Sequence, residues 1–505
     1  MDRPRTTTAP DTERHPEQAS LWTRGAVRLH DIEALVSLDG ACEAVFGQLT
    51  GGAFLTGYAL ALGATPAAIG ILAALPLTVK LSQLYTSWRV EKHGDWKGSG
   101  VRSAVAGRVV LLGAALLPFA PLSNAARMLA LTLVVALSVL AGSVYELAFL
   151  TWMAELVPPA VRGAFFARRN RIMGIVGLVA GLVAAFALDR WREAHGAGAA
   201  RDVRPFGVLF AIGTAFGLLG LAFLRCVPSP RRHESRATGP TLRQALAVPV
   251  RDANFRPLAG FGIAWGVGIG LVAPFFTVVM LQELGLSFLA VTLLAALATL
   301  AATISATYWG RLADHFGAKT VLRASTYLLT LVPLLWLLVS DTRLWLLVPI
   351  HLFSGLAGSA FDNTVNMLVL KVAPPAARPS YLANFGAAYA SSQAAAPVVG
   401  GVVASALALH PPLHGASRLL PYYVLFFGAA AIRALATPLL ARVHEHEGTS
   451  VGHLLRVMGR YRRMSSSLPL DPVFRSGYTH LARLADYIAR ERSAPARRAP
   501  DAPAR

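Results

Sequence analysis

Long apolar stretches alternate with short polar stretches along most of the chain. A helix needs about 20 apolar residues to cross the hydrocarbon core of a bilayer, and twelve stretches approach or exceed that length. The pattern therefore predicts an all-α integral membrane protein with twelve transmembrane helices. Their predicted ranges are Ala34–Ala61, Ala67–Arg89, Val101–Pro121, Ala126–Leu156, Arg171–Asp189, Pro205–Val227, Phe255–Leu284, Phe288–Arg311, Lys319–Ser340, Arg343–Val372, Ser380–Leu407 and Arg418–Arg442.

The composition agrees with a membrane protein, because 54% of the 505 residues are hydrophobic and 15% are charged. A soluble protein has about 25% charged residues. The net charge of +20 would suit a nucleic-acid partner, but most of the cations lie in loops and tails. Anionic lipid headgroups are therefore the expected counter-charge. Cys42 and Cys226 form no disulfide framework and no metal-ligand spacing.

The polar stretches divide the chain into five parts. These are a disordered tail at 1–33, a six-helix bundle at 34–227, a linker at 228–254, a second six-helix bundle at 255–442 and a basic tail at 443–505. Lys and Arg favour the loops on the side of the linker and tails, which places that side in the cytoplasm. The N-terminal tail lacks the pattern of a cleaved signal peptide. We expect a multi-pass protein of the cell (inner) membrane with both termini cytoplasmic.

A short polar stretch, GRLADHFGAKTVLR, separates the eighth and ninth predicted helices. Its skeleton is formed by Gly310, Asp314, Gly317 and Lys319. The glycines permit a tight turn, and Asp314 can accept hydrogen bonds from N–H groups at the start of the next helix. The first half of the chain has a partial echo of this stretch, in which Glu91 takes the place of the aspartate.

The second half of the chain repeats the first. The sequence LGAT at 62–65 matches LGLS at 284–287, at an offset of 222. The sequence GSVYE at 142–146 matches GSAFD at 358–362, at an offset of 216, which makes Glu146 and Asp362 equivalent. A parallel six-plus-six repeat with a polar joint, together with the Gly310 stretch, resembles the major facilitator superfamily of secondary transporters. The resemblance covers about Ala34 to Arg442 and implies two six-helix bundles that rock about a central site.

Seven ionisable residues lie inside the predicted spans, where charges are costly and mark functional sites by default. They are Asp39, Glu43, Lys80, Arg108, Glu146, Asp362 and Arg433. Asp39 and Glu43 share a helix face because they are four residues apart, and Arg108 and Lys80 lie at matching depths. We therefore predict the ion pairs Asp39–Arg108 and Glu43–Lys80. These pairs either fasten the first bundle or release one carboxylate to take a proton during transport.

The resemblance implies that the first, fourth, seventh and tenth helices line a central cavity, which Glu146 and Asp362 would then face. A carboxyl group in an apolar cavity favours its neutral form and can exchange protons there. The alternative is a structural acid, with Asp362 paired to Arg433. The remaining candidates, which either contact a substrate or pack between helices, are Asn363, Asn366 and Trp265.

Arg162 and Arg378 are also repeat-equivalent, because each follows a Pro-Pro pair in a loop. The loop of Arg162 also contains Arg168, Arg169 and Arg171, and these four arginines can bind phosphate or lipid. Alternatively, Arg162 and Arg378 can pair with Glu91 and Asp314 and hold the bundles shut. The family resemblance favours such a latch.

No catalytic motif accompanies these charges, since the sequence has no nucleophile elbow, P-loop or zincin pattern. The run His444–Glu447 has metal-ligand residue types but fits a solvated segment better. The sequence predicts a monomeric, non-enzymatic secondary transporter of a small molecule, coupled to protons, with no cofactor, metal or nucleic acid. The alternatives are a sensor on a transporter-like scaffold, which binds without flux, and a lipid-modifying enzyme, which needs a catalytic cluster at headgroup level.

Overall fold

The computed structural model describes residues 29–76, 96–196, 201–229, 248–409 and 418–445, which are almost entirely helical. The helices follow the order of the predicted spans and are numbered to match them. They are α1 (Leu29–Thr50), α2 (Pro66–Pro76), α3 (Trp96–Leu116), α4 (Asn124–Leu156), α5 (Pro159–His195), α6 (Arg204–Cys226), α7 (Phe255–Gly270), α8 (Phe288–Phe316), α9 (Ala318–Trp336), α10 (Leu347–Val372), α11 (Arg378–Leu409) and α12 (Leu420–Ala436). Nine of these described helices are long and apolar enough to cross a membrane.

Two helices continue beyond a local break. Helix α1 resumes as Gly52–Ala61, and Gly52 has a φ of +51°, a left-handed conformation that favours glycine. Helix α7 resumes as Ala273–Val278 and ends in a π-helical turn at Val279–Glu283. The two breaks lie at equivalent places in the repeat, since an offset of 222 carries Gly52 to residue 274.

The start of α5 differs most from the predicted range. The helix begins at Pro159 rather than near Arg171. Proline is tolerated in the first turn of a helix because no intrahelical partner needs its missing N–H group there. Arg168 and Arg169 therefore lie on a continuous helix instead of in a loop, and Arg169 is buried.

The polar turn predicted from Gly310 is much shorter in the structure. Helix α8 runs through Gly310 to Phe316, and α9 begins at Ala318. The residue between them is Gly317, whose φ of +91° is readily adopted by glycine and by few other residues. The amphipathic end of α8 was mistaken for a loop because its polar side chains interrupt the apolar run.

The chain forms two compact units. The N-terminal unit comprises Met1–Gly63 and Ser82–Arg236, and the C-terminal unit comprises Ala64–Leu81 and Ala237–Arg505. In the N-terminal unit, α1 packs against α5 and α6, and α3 packs against α4 and α6. The same arrangement recurs in the C-terminal unit, where α7 packs against α11 and α12, and α9 packs against α10 and α12. The sequence repeat is therefore also a repeat of helix packing.

Candidate functional site

Two carboxylates and two guanidinium groups meet inside the N-terminal unit. Asp39 and Glu43 lie one turn apart on α1. Glu43 forms an ion pair with Arg108 of α3, and Asp39 forms one with Arg169 of α5 at 3.2 Å. The hydroxyl of Tyr145 on α4 donates a hydrogen bond to Asp39 at 3.3 Å. The two positive and two negative groups balance, which allows them to lie within membrane spans.

The members of this cluster differ in their access to solvent. Asp39 is completely buried and Arg108 is 3% exposed. The Glu43 side chain keeps 25% of its surface exposed. Arg108 is also covered by the rings of Phe46 and Tyr145, whose centres lie 5.2 and 5.5 Å from its guanidinium carbon. Glu43 is therefore the more exposed of the two carboxylates in the cluster.

The predicted pair Asp39–Arg108 is wrong, because Arg108 pairs with Glu43 and Asp39 pairs with Arg169. The sequence missed Arg169 because the residues before Arg171 were assigned to a loop. Because α5 extends through this segment, the Arg169 side chain reaches Asp39. It passes close to Gly40, where an added Cβ would lie 3.1 Å from the Arg169 side chain. The predicted partner of Glu43, Lys80, lies outside the described residues.

The C-terminal unit buries an arginine without a carboxylate. Arg433 of α12 is 5% exposed. Its Nε donates to the carbonyl of Gly268 on α7 at 3.1 Å, and its Nη1 donates to the carbonyl of Leu329 on α9 at 3.0 Å. Its guanidinium carbon lies 5.7 Å from the centre of the Trp265 ring. Among the described residues Arg433 forms no ion pair, so the alternative pairing with Asp362 is not formed.

Trp265 lies in the packed interior of the C-terminal unit. The residue is completely buried, and its ring stacks on Phe361 at 5.4 Å and on Phe261 at 5.6 Å between ring centres. Of the two interpretations open from the sequence, packing between helices fits this burial. The Trp265 indole N–H has no hydrogen-bond partner among the residues that the structure describes.

The remaining polar candidates lie on exposed faces of α4 and α10. Asp362, Asn363 and Asn366 are exposed on α10, and their spacing places them on one face of that helix. Glu146 is exposed at the equivalent position of α4. The Nδ2 of Asn363 donates to the carbonyl of Ala306 on α8 at 3.2 Å, so this amide joins two helices.

Lysines at the starts of α3 and α9 repeat the same contact. The Nζ of Lys319, from the Gly310 stretch, donates to the carbonyl of Val443 at 2.5 Å. The Nζ of Lys97 donates to the carbonyl of Val227 at 2.5 Å. Each lysine thus bonds a carbonyl just beyond the last helix of its own unit, where a cation is favoured. The sequence analysis did not predict this contact, although Lys319 belongs to the Gly310 stretch and Lys97 lies at the equivalent position, at the offset of 222.

The start of α9 is capped by Glu445 rather than by Asp314. The Glu445 carboxylate accepts from the backbone N–H of Ala318 at 3.0 Å and of Lys319 at 2.8 Å, and it pairs with Lys371 at 2.9 Å. Asp314 is exposed on the last turn of α8. The sequence prediction failed because the capping carboxylate comes from the segment after α12, which had been assigned to a solvated run.

The predicted latch is also not formed in the described part of the chain. Arg162 donates to the carbonyls of Ala154 and Val157, which terminate α4. Arg378 is exposed and, within the described residues, makes no ion pair with Asp314. Arg162 therefore caps the C-terminal end of α4, the preceding helix. Glu91, the predicted partner of Arg162, lies outside the described residues.

Comparison with known proteins shows what this chain resembles. Residues 258–453 match the family described as the Major Facilitator Superfamily. A mutant of the nucleoside transporter NupG is 14% identical with a TM-score of 0.64, over 82% of this chain and 100% of the other. The xylose transporter XylE from E. coli is 14% identical with a TM-score of 0.57, over 85% of this chain and 99% of the other. A bacterial homologue of the iron transporter ferroportin is 15% identical with a TM-score of 0.57, over 83% of this chain and 99% of the other.

No curated protein matches the sequence. The C-terminal half of the chain thus resembles the Major Facilitator Superfamily in sequence, and most of the chain shares the fold of the similar structures, with twelve helices in two bundles. The three similar structures are named for nucleosides, xylose and iron, and at identities of 14 to 15% they establish the fold alone.

Proposed function

We propose that the protein is a secondary transporter that moves a small molecule across the cell membrane by alternating access, driven by protons. Its shared fold with nucleoside, xylose and iron-transporter relatives supports transport. The excess of cations in the linker, the tails and the loops on their side supports a topology with both termini in the cytoplasm.

The observation that carries the proton coupling is the pair formed by Glu43 and Arg108. A quarter of the Glu43 side chain is exposed, while its partner guanidinium is buried. Protonation of Glu43 would remove the charge that neutralises Arg108. A buried cation without a counter-charge is unfavourable, so loading the proton changes which arrangement of the helices is stable.

Asp39 gives Arg108 a second electrostatic partner. Asp39 lies one turn away on α1, and it interacts electrostatically with Arg108 as well as with Arg169. When Glu43 takes a proton, Arg108 can therefore shift toward Asp39, which Tyr145 and Arg169 hold in place. The result is a cluster that can gain one proton without losing all of its internal pairing.

The exposed polar groups of α4 and α10 belong to the substrate pathway in this proposal. Glu146 and Asp362 occupy equivalent repeat positions near the middle of their helices, and Asn363 and Asn366 extend the polar face of α10. Charged and amide side chains are unfavourable against lipid, which supports a face wetted by water or substrate.

Proton coupling can be measured without knowing the substrate. The full-length protein is reconstituted into liposomes that contain the pH-sensitive dye pyranine, and a panel of nucleosides, sugars and primary amines is added outside. We expect at least one compound to change the internal pH through the wild-type protein. Glu43→Gln should reduce that signal about tenfold or more, because an amide cannot release a proton. Exchange of the same radiolabelled compound across the membrane should persist.

Glu33→Gln is the matched control, because Glu33 lies on the same helix and pairs with Arg168, which is largely exposed. Size-exclusion chromatography checks the folding of the Glu43 variants. If Glu43→Gln impairs folding, Glu43→Asp, which keeps the carboxylate, is the second variant. Full proton flux through folded Glu43→Gln would refute the coupling role. Absence of flux for every compound in the panel would count against transport itself.

A further inference from the structure

The polar face of α10 carries an acid that pairs with no cation in the described part of the chain. Asp362 lies ten residues before the C-terminal end of α10, which is about 15 Å along a helix. The residue is exposed, and within the described chain it makes no ion pair and no hydrogen bond. An isolated carboxylate at this depth is costly in a membrane protein and marks a functional position.

Arg433, the cation that the sequence offered as a partner of Asp362, has other partners. Arg433 donates to the carbonyls of Gly268 and Leu329 and lies over Trp265. Phe361, the residue before Asp362, is buried and stacks on the same indole ring. Tyr389 of α11 interacts electrostatically with both Asp362 and Arg433. The guanidinium is thus held in the packed interior by other groups, and the Asp362 carboxyl group lies on the exposed side of α10.

The groups beside Asp362 favour a hydrogen-bond donor. The Nδ2 of Asn363 donates one of its two N–H groups to the carbonyl of Ala306, and among the described residues the acceptor Oδ1 stays free. Asn366 lies one turn further along the same face, and within the described chain its side chain makes no hydrogen bond. A carboxylate next to an amide oxygen provides two acceptors and a negative charge. This arrangement suits a cation with N–H groups, whereas it repels an anion.

We infer that the α10 face formed by Asp362, Asn363 and Asn366 binds the ammonium group of a protonated primary amine. This inference rests on the proposed transport function and specifies the substrate class. The Asp362 carboxylate supplies the counter-charge, and the Asn363 oxygen accepts a second N–H. Asn366 contacts the part of the ligand that lies further along the helix. The proton that drives transport is taken up elsewhere, at Glu43 in the N-terminal unit.

Binding to purified protein tests the inference independently of flux. Two series of probes are used, and the members of each series are similar in size and differ in the charge of the head group. The first series is phenethylamine, 2-phenylethanol and 3-phenylpropionate, and the second is hexylamine, hexanol and hexanoate. Each probe is titrated against the full-length protein in detergent, and the shift in melting temperature gives its apparent affinity. We expect the amine of at least one series to bind about tenfold or more tightly than its alcohol and acid, since charge-assisted hydrogen bonds supply that discrimination.

Asp362→Asn should lower the affinity for that amine about tenfold or more and abolish the preference over the alcohol. Asp341→Asn is the matched control, because Asp341 is an exposed acid between α9 and α10 in the same unit, and it should bind as wild type. Asp362→Glu should retain the preference for the amine. If Asp362→Asn does not fold, Asp362→Ser takes its place, with the same expectation.

Equal binding of amine and alcohol by the wild type, or undiminished amine binding by the neutral variant, would overturn the inference. Transport of a neutral compound without amine binding would overturn it while leaving the proposed function in place. Amine binding that depends on Asp362, without flux in liposomes, would support the inference and refute transport.

Discussion

The two units bury an arginine among corresponding helices but neutralise it differently. In the N-terminal unit, Arg108 pairs with Glu43 of α1. In the C-terminal unit, Arg433 lies over Trp265 of α7 and donates to backbone carbonyls. Glu43 and Trp265 occupy the same repeat position, since they are separated by the offset of 222. One fold thus accommodates a buried guanidinium beside either a carboxylate or an indole ring.

A glycine on a neighbouring helix makes room for each arginine, but the two glycines are not at equivalent positions of the repeat. An added Cβ on Gly217 of α6 would lie 2.9 Å from the Nε of Arg108. Arg433 itself stands at the repeat position of Gly217, at the offset of 216. An added Cβ on Gly268 of α7 would lie 2.7 Å from the Cγ of Arg433. The arginine therefore enters its unit from α3 in one case and from α12 in the other.

This difference separates two kinds of site. A carboxylate can exchange a proton, whereas an indole ring and backbone carbonyls cannot. The N-terminal cluster therefore contains a group of the kind that can exchange a proton, and the described contacts of Arg433 contain none. If the proposals hold, proton coupling belongs to the first unit and recognition of a cation to the exposed Asp362 of the second.

Replacing each arginine by methionine should give the largest effects and the clearest contrast between the units. Arg108→Met leaves Glu43 partly buried without its cation, and we expect a loss of about 3 kcal/mol in the free energy of unfolding. Arg433→Met leaves no carboxylate behind, and the loss of its hydrogen bonds should cost about 1 to 2 kcal/mol. Chemical unfolding of both variants in detergent measures the difference.

The double variant Arg108→Met with Glu43→Leu is the control for this contrast, because it removes the orphaned carboxylate. It should recover much of the stability lost in the single variant. Equal losses for the two methionine variants, with no recovery in the double variant, would show that the arginines act by packing and that the units do not differ in the proposed way.

A smaller contrast concerns the segments that follow α6 and α12. Glu445→Gln removes the charged cap of α9 and the ion pair with Lys371, and we expect a loss of about 2 kcal/mol. The N-terminal unit has Ser229 at the equivalent position, and Ser229→Ala should leave stability unchanged. Melting temperatures of the two variants in detergent provide the measurement. A similar shift for both substitutions would mean that the Glu445 contacts add little.

The smallest expected effect is a pH-dependent step confined to the C-terminal unit. Partial burial alone would raise the pKa of Asp252, but hydrogen bonds from the Tyr381 hydroxyl at 2.7 Å and the backbone N–H groups of Asn254 and Phe255 hold that pKa below its usual range. A lowered pKa in the folded state stabilises the protein above the unfolded value of about 4. The contribution disappears as the pH falls through the folded-state pKa.

Asp252→Asn should therefore be less stable than wild type by at most about 1 kcal/mol at pH 7, and the difference should shrink as the pH is lowered toward 3. Melting temperatures of both proteins across this range test the expectation. The position equivalent to Asp252 in the N-terminal unit, at the offset of 222, is His30. That residue has no carboxylate, so the N-terminal unit lacks this pH-dependent contribution. A difference that stays constant with pH would show that ionisation of Asp252 contributes nothing.

The sequence predicted the helices well because a span is a local property. About twenty apolar residues suffice to define one, and the internal repeat relates positions such as Glu146 and Asp362 without any structure. Predictions were less reliable where polar residues continue a helix beyond the membrane, as at the end of α8 and the start of α5. There the chain satisfies its backbone hydrogen bonds by staying helical, although its composition resembles a loop.

The sequence by itself determined the class of fold, the repeat and the presence of charges within the spans, because these follow from composition and periodicity along the chain. Only the tertiary structure decided which charges meet. Arg169 pairs with Asp39, Arg108 with Glu43, and Glu445 caps α9 from far along the chain. Each partner comes from a helix or segment remote in sequence, and a difference of one helical turn changes which carboxylate an arginine reaches. Such pairings depend on helix contacts and side-chain direction, which local patterns do not contain.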